Sequence, residues 1–182
     1  ARPSRPNYSL NHMPVIEVID QKFFTRKVLK VAPELRGKLL VTENMEGMIT
    51  EVEAYDGPND KACHARFGYT EAKAPMFGPA GHWYVYLCYG MYWMLNIVTN
   101  EPGYPADILI RGVGEWNGPG KITQALNIDG SLSGKKIGQA SGLWVESRGL
   151  AVHTSQIQRM PRIGIEYAKE WKDAPYRFVL MQ

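Results

Sequence analysis

Gly81-His82-Trp83-Tyr84-Val85-Tyr86-Leu87-Cys88-Tyr89-Gly90-Met91-Tyr92-Trp93-Met94-Leu95-Asn96 is the stretch on which the reading of this chain turns. Its alternation on either side of Tyr89-Gly90 describes two strands joined by a tight turn, a β-hairpin that carries tyrosines toward its tip. Aromatic side chains lose little rotamer entropy when ordered, and their flat faces suit wedging and stacking against planar ligands such as nucleobases. A plain core hairpin is the competing reading, because aromatics are common in strands.

On the N-terminal side, Asp20 is placed to cap a helix whose apolar positions Phe23, Phe24, Val28, Leu29 and Val31 recur at helical spacing, with Pro33 ending or bending it. Leu39-Leu40-Val41 reads as a short buried strand and Met48 to Tyr55 as its partner. In the second of these the period of two puts Glu51, Glu53 and Tyr55 on one face and Val52 and Ala54 on the other. Gly57-Pro58 breaks the strand, Asp60 caps a short turn through Cys63, His64 and Arg66, and Gly68 to Pro79 reads as a loop.

On the C-terminal side, Asp107 to Arg111 reads as a strand, and Gly118-Pro119-Gly120-Lys121 opens a helix through Ile122, Ala125 and Leu126. Leu143 to Glu146, Ala151 to His153, Arg159 to Ile165 and Pro175 to Leu180 read as further strands, and Glu166 to Lys172 as a helical turn. Residues 1–18 form an irregular lead-in. The predicted architecture is a single α+β domain over 1–182: a mainly antiparallel curved sheet, flanking helices and the protruding aromatic hairpin.

Composition narrows the classes. The chain has 182 residues, 45% hydrophobic and 21% charged, an ordinary globular balance, and no apolar run approaches a membrane span. The opening Ala-Arg-Pro-Ser-Arg-Pro-Asn lacks the apolar core of a secretory signal, so the expectation is a protein that is not exported. Cys63 and Cys88 form neither a disulfide framework nor a metal spacing and read as reduced intracellular thiols. A net charge of +3 permits a polyanionic partner without demonstrating one.

Glu53 is the strongest catalytic candidate, since burial between apolar neighbours would favour its neutral form and poise it to take a proton from water. The alternatives are an exposed strand glutamate paired with a lysine, or a glycosidase-like pair with Glu51, which as an i, i+2 neighbour lies about 7 Å away on the same face. Cys63, His64 and Cys88 lack metal-ligand spacing. Gly118 to Lys121 offers amides and a lysine for one phosphate, but the phosphate-loop and dinucleotide patterns are both absent.

Taken together, Ile49-Thr50-Glu51-Val52-Glu53-Ala54-Tyr55-Asp56-Gly57-Pro58, Cys63-His64-Ala65-Arg66, Met76-Phe77-Gly78-Pro79, Tyr84-Val85-Tyr86-Leu87-Cys88-Tyr89-Gly90-Met91-Tyr92 and Asn96 resemble, in order and spacing, the alkyladenine (3-methyladenine) DNA glycosylase family. The likeness continues through Ile110-Arg111, Gly118-Pro119-Gly120-Lys121 with Gln124-Ala125-Leu126, and Arg162-Ile163-Gly164-Ile165 with Glu170-Trp171, and so spans nearly the whole chain.

The resemblance implies an enzyme that flips alkylated or deaminated purines, 3-methyladenine and hypoxanthine among them, out of duplex DNA and hydrolyses the N-glycosidic bond. It implies Glu53 as general base, with Arg111 and the Ile163 main-chain carbonyl positioning one water. Tyr55, His64 and Tyr86 would be the walls of the base pocket and Asn96 its guanine-rejecting floor. Tyr89, with Met91 beside it, would fill the gap left in the duplex. Arg66, Lys73, Lys121 and the Lys135-Lys136 pair are the candidates for phosphate contacts. No metal or organic cofactor and no strand-cleaving lyase activity are implied. The expected protein is a monomer, nucleoid-associated in a bacterial cytoplasm or nuclear in a eukaryote. The alternative is a non-catalytic damaged-DNA-binding module with the same hairpin. Two departures from the family, a Gly68 to Pro75 loop poor in positive charge and a short Arg111 to Gly118 connection, predict weaker, more salt-sensitive DNA binding.

Overall fold

The computed structural model describes residues 15–181. Its helices are short. Asp20 caps α1 (Gln21–Phe24), its carboxylate accepting from the Phe23 amide at 3.2 Å. The single helix expected from the periodicity is broken at this point: Thr25 Oγ1 donates to the Lys22 carbonyl at 2.8 Å and Arg26 Nε to that of Phe23 at 3.0 Å, closing α1 before α2 (Val28–Leu35) begins. Pro33 lies inside α2, which runs two residues beyond it, and Val28, Val31, Ala32 and Leu35 are buried on one stripe. The third helix, α3 (Pro119–Ala125), starts where Gly118-Pro119 predicts, with proline in its first turn.

The strands are β1 (Glu17–Val18), β2 (Leu39–Val41), β3 (Glu46–Asp56), β4 (Trp83–Cys88), β5 (Tyr92–Thr99), β6 (Ala106–Val113), β7 (Trp116–Asn117), β8 (Trp144–Ser147), β9 (Ile157–Met160) and β10 (Arg177–Leu180). They join one antiparallel sheet in the order β1-β8-β2-β3-β6-β5-β4, with β10 added beside β3 and β9, and β7 beside β6. The central four strands, β3, β6, β5 and β4, carry the site. Between β4 and β5 the chain reverses at Tyr89-Gly90, both at positive φ (51° and 69°), with the Met91 amide donating to the Cys88 carbonyl at 3.0 Å. These are the features of a type I′ turn, whose twist matches that of the strands it joins.

Several expectations are corrected. Of the lead-in, 1–14 lie outside the described residues, and Glu17–Val18 pair with β8 as a strand. Glu71–Phe77, expected as loop, winds as a 3₁₀ helix with Pro75 inside it. Ala151 to His153 is not a strand; it leads into a 3₁₀ turn at Thr154–Gln156, where the Gln156 side chain accepts from the His153 amide at 2.9 Å. The strand expected over Arg159 to Ile165 lies earlier, at Ile157–Met160, and stops before Pro161, which has no N–H to give to a ladder. That early stop frees Arg162 and Ile163 to turn toward β3.

Register fixes which residues share a face. Ala54 pairs Ile108, Ile108 pairs Ile97 and Ile97 pairs Trp83; all four are fully buried in the main core with Val52, Ile110, Leu95 and Val85. The alternate residues of the same strands line up as Tyr55–Asp107–Val98, as Glu53–Leu109–Asn96–Tyr84, and as Met94–Tyr86, and look the other way.

Candidate active site

Glu53 is fully buried, at 0% exposure. Its Oε1 accepts from the Ile163 amide at 2.8 Å and its Oε2 from the Tyr55 hydroxyl at 2.9 Å, while Arg111 Nε stands 3.5 Å from Oε1. Burial raises its pKa above the ordinary glutamate value, opposed by Arg111, the Ile163 amide and the Tyr55 hydroxyl in that order. The exposed, lysine-paired strand glutamate is therefore not what Glu53 is. Glu51, its supposed glycosidase partner, is held by Arg111 at 3.3 Å and by Arg177 at 3.1 Å, a carboxylate committed to two guanidiniums.

Beside Glu53 a cavity of about 320 Å³ opens between β4, β5, β6 and the residues after β9. That volume falls within the roughly 300–1,000 Å³ of small-ligand pockets. Tyr55, His64, Tyr86 and Asn96 all line it, as do Arg111 and Ile163. Glu53 itself does not; it stands behind Tyr55, Ile163 and Arg111, each of which both touches it and faces the cavity.

The rings are held by one another. His64 meets Tyr86 edge-on, centroids 4.7 Å apart, and its Nδ1 lies 3.5 Å from the Tyr84 hydroxyl. Burial, with Lys73 and Arg66 nearby, lowers the His64 pKa and keeps the ring neutral at physiological pH. Asn96 spends its amide nitrogen on the Tyr84 and Met94 carbonyls, both at 3.1 Å, leaving Oδ1 uncommitted. Tyr55 is braced from behind by Arg162, whose guanidinium carbon sits 4.8 Å over the ring. Arg162 in turn donates to the Ala54 carbonyl at 2.8 Å and to both oxygens of the buried Asp60, at 2.5 and 2.8 Å. Asp60 does cap the following turn, accepting from the Ala62 amide at 3.0 Å. The ion pair with Arg162 is what the sequence reading missed, because the partners lie 102 residues apart.

The turn residues stand out of the fold: Tyr89 is 86% exposed and Met91 66%, and Tyr89 also reaches the cavity rim. The basic candidates scatter. Arg66 is exposed and lies over the rings of Phe67 and Tyr167, at 4.2 and 5.2 Å, the second a residue of the cavity wall. Lys73 is half-buried with its ammonium on the Gly68 carbonyl. Lys121 is exposed on α3, two residues from Pro119 at the cavity rim. Lys135 and Lys136 run beside His82 and Trp83, at the end of β4 away from the Tyr89 tip, and the structure does not bring them to the cavity.

Asp107, Leu109, Met76, Ile165 and Tyr167 also line the cavity and were not anticipated. For Asp107 the signal was available: counting back from Arg111 by twos through an otherwise apolar strand reaches Leu109 and then an aspartate. Among the described residues no three His, Cys, Asp or Glu side chains converge to hold a metal ion, and no helix is long and apolar enough to cross a membrane.

A sheltered carboxylate behind a ring-walled cavity, next to a projecting turn, gives the class a physical basis, and comparison with known proteins states it outright. The chain is 38% identical over 200 residues, 97% of its own length and 78% of the relative's, to the DNA-3-methyladenine glycosylase of Arabidopsis thaliana. Relatives provisionally named for the same activity include one from Sodalis glossinidius, 42% identical over 85% of this chain and 95% of its own. Another, from Methanocella arvoryzae, is 42% identical over 88% of this chain and 91% of its own. The class is that of DNA glycosylases, hydrolases of N-glycosyl bonds. The family model for methylpurine-DNA glycosylase matches residues 22–115 and 114–182, and the chain belongs to that family.

Proposed function

We propose that the protein extrudes alkylated and deaminated purines, 3-methyladenine and hypoxanthine among them, from double-stranded DNA and hydrolyses their N-glycosidic bonds in base-excision repair. The observation that carries this reading is the position of Glu53, buried and triply held behind a cavity of about 320 Å³ walled by Tyr55, His64 and Tyr86.

The chemistry follows from that position. Inside the stack the target bond is out of reach, so the nucleotide must leave it at a cost of a few kcal/mol, least where the lesion pairs poorly. Tyr89, exposed at the turn beside Met91, fills the vacated space. The tyrosine and histidine rings stack on the extruded base, and a cationic base gains about 0.5–2 kcal/mol from the ring faces. Asn96, by its bulk on the cavity wall, opposes the exocyclic amine of normal guanine. As the base departs, positive charge builds on the deoxyribose; ionised Glu53 takes a proton from water and stabilises that charge. Arg111 bridges Glu53 and the cavity and orients the water with the Ile163 main chain. The Ile163 group that meets Glu53 is its amide, which leaves the carbonyl free for that water. Among the described residues lining the cavity none is a lysine, which supports hydrolysis without a lyase step. The protein works as a monomer that reads the duplex with one face. With Lys73 tied to Gly68 and Lys135 and Lys136 far from the tip, few cations are left near the cavity, so few phosphates are neutralised and the affinity is weak, with a shallow rather than steep dependence on salt.

The test is a duplex carrying one hypoxanthine. Incubation followed by hot alkali breaks the strand at that position, and Glu53→Gln abolishes the break while retaining binding. An intact strand with the wild type across several lesions contradicts the reading. Binding to abasic duplex without base release, insensitive to Glu53→Gln, supports a binding module in its place.

A further inference from the structure

Among the described residues, Asp107 is the one carboxyl in the cavity wall, and the mechanism above does not use it. It sits near the start of β6, 3% exposed, between Tyr55 of β3 and Val98 of β5 in register. Its Oδ1 is buried without a hydrogen-bond partner while the residue lines the cavity. A buried carboxylate oxygen with no donor is costly, and a fold keeps one where something else supplies the missing interaction.

We propose that Asp107 is a specificity-determining residue that serves as counter-ion to the positively charged ring of an N-alkylated purine, and so favours cationic over neutral lesions. The inference rests on the glycosylase reading and names the substrate class that this chain's own cavity prefers. An aromatic wall attracts a cation weakly; a full negative charge in the same low-dielectric pocket attracts it much more strongly.

The groups around Asp107 are consistent with this role. Tyr55 from β3 and Tyr84 and Tyr86 from β4 are neutral phenols, Cys63 is a neutral buried thiol whose Sγ points to the Pro105 carbonyl, and His64 is held neutral. The charged neighbours are Asp60 and Arg162, which bond to each other and largely cancel. Burial, and secondarily the Asp60 charge, push Asp107 up to about 8, against the opposing pull of Arg162. This upward shift favours the neutral acid in the empty pocket, which spares the fold an unpaired charge. A cationic base entering the pocket favours the ionised form; the carboxyl proton leaves to bulk water, and the negative charge stays beside the base.

The experiment is carried out in a Glu53→Gln background, so that no base is lost, with two duplexes of the same shape. One carries 7-methylguanine, a cation; the other carries 7-methyl-7-deazaguanine, its neutral counterpart. The first is expected to bind tighter by about tenfold or more, a preference that Asp107→Asn removes. Binding heats for the 7-methylguanine duplex, measured at pH 7 in buffers of different ionisation enthalpy, report close to one proton released, and none in the double variant. Equal affinities for the two duplexes, a preference that survives Asp107→Asn, or no proton release overturns the assignment. The buffer dependence is read on the Asp107-containing protein and decides even if the second substitution disturbs the fold. Failure of the glycosylase reading is separate: it shows as wild-type protein that releases no base from any lesion duplex.

Discussion

The two faces of the β3–β6–β5–β4 sheet are made from alternate residues of the same strands and obey opposite rules. One face is Val52, Ala54, Ile108, Ile110, Ile97, Leu95, Val85 and Trp83, packed apolar on apolar against the core that α2 completes. The other carries Glu53, Tyr55, Arg111, Asn96, Tyr84 and Tyr86, held by directed bonds, an ion pair and ring contacts around open space, and the unpartnered Asp107. The strands contribute to both faces at once, so their rigidity, secured on the first, holds the second to the fraction of an ångström that positioned chemistry needs. The apolar packing and the candidate site are thereby separated by the width of one sheet.

The sharpest way to break this contrast is through the charged scaffold of the second face. Arg162→Met leaves Asp60 buried without its partner and is expected to cost about 3–5 kcal/mol, read as a lowered urea midpoint. Adding Asp60→Asn should recover part of the loss, because the orphaned charge is then gone. No recovery would mean that Arg162 acts through its packing on Tyr55 and Tyr176 alone. On the first face, Ile108→Ala opens a void in a fully buried position and should cost about 2–5 kcal/mol, with base release per folded molecule nearly unchanged. Large loss of turnover at full folding would show that the two faces are not separable. Tyr89→Ser, at a residue 86% exposed, should leave stability unmoved within about 0.5 kcal/mol. Its effect belongs to binding: affinity for a lesion duplex falls by about 1–3 kcal/mol, the worth of one base–aromatic stack, in a gel-shift titration.

Much of this was legible in the sequence, for reasons that differ between the faces. Period-two alternation in Glu53-Ala54-Tyr55 and around Tyr84 to Met94 assigns residues to a face directly, and Asp20, Gly118-Pro119 and Tyr89-Gly90 carry their cap and turn chemistry in the local chain. What was lost depends on partners distant in sequence. The two-residue strands β1 and β7 exist only because β8 and β6 offer them an edge. Glu71–Phe77 has no helical periodicity for a sequence reading to find, and it winds as 3₁₀ nonetheless. Pro161 marked where β9 had to stop, a local signal that was available and not weighed. The Ile163 amide reaches Glu53 from 110 residues away, and Arg162 reaches Asp60 across 102. Asp107 stands near the start of a strand whose other residues up to Arg111 are apolar, so its place in the cavity wall follows from the register with β3 and β5.

The central claim is that Glu53 belongs to the second face, where its proposed role is in base release and its ionised form adds no net stability to the fold. The most direct measurement is to follow Glu53→Gln for base release from a hypoxanthine duplex and for thermal unfolding in the same buffer. Burial holds the Glu53 pKa above its ordinary value, so its ionised form is a cost to the folded state at neutral pH, and a neutral glutamine is expected to melt no lower than the wild type. Release should fall by about 10²–10⁴-fold or more. A variant that still releases the base at near the wild-type rate, or one that melts as far below the wild type as Ile108→Ala does, would contradict the account.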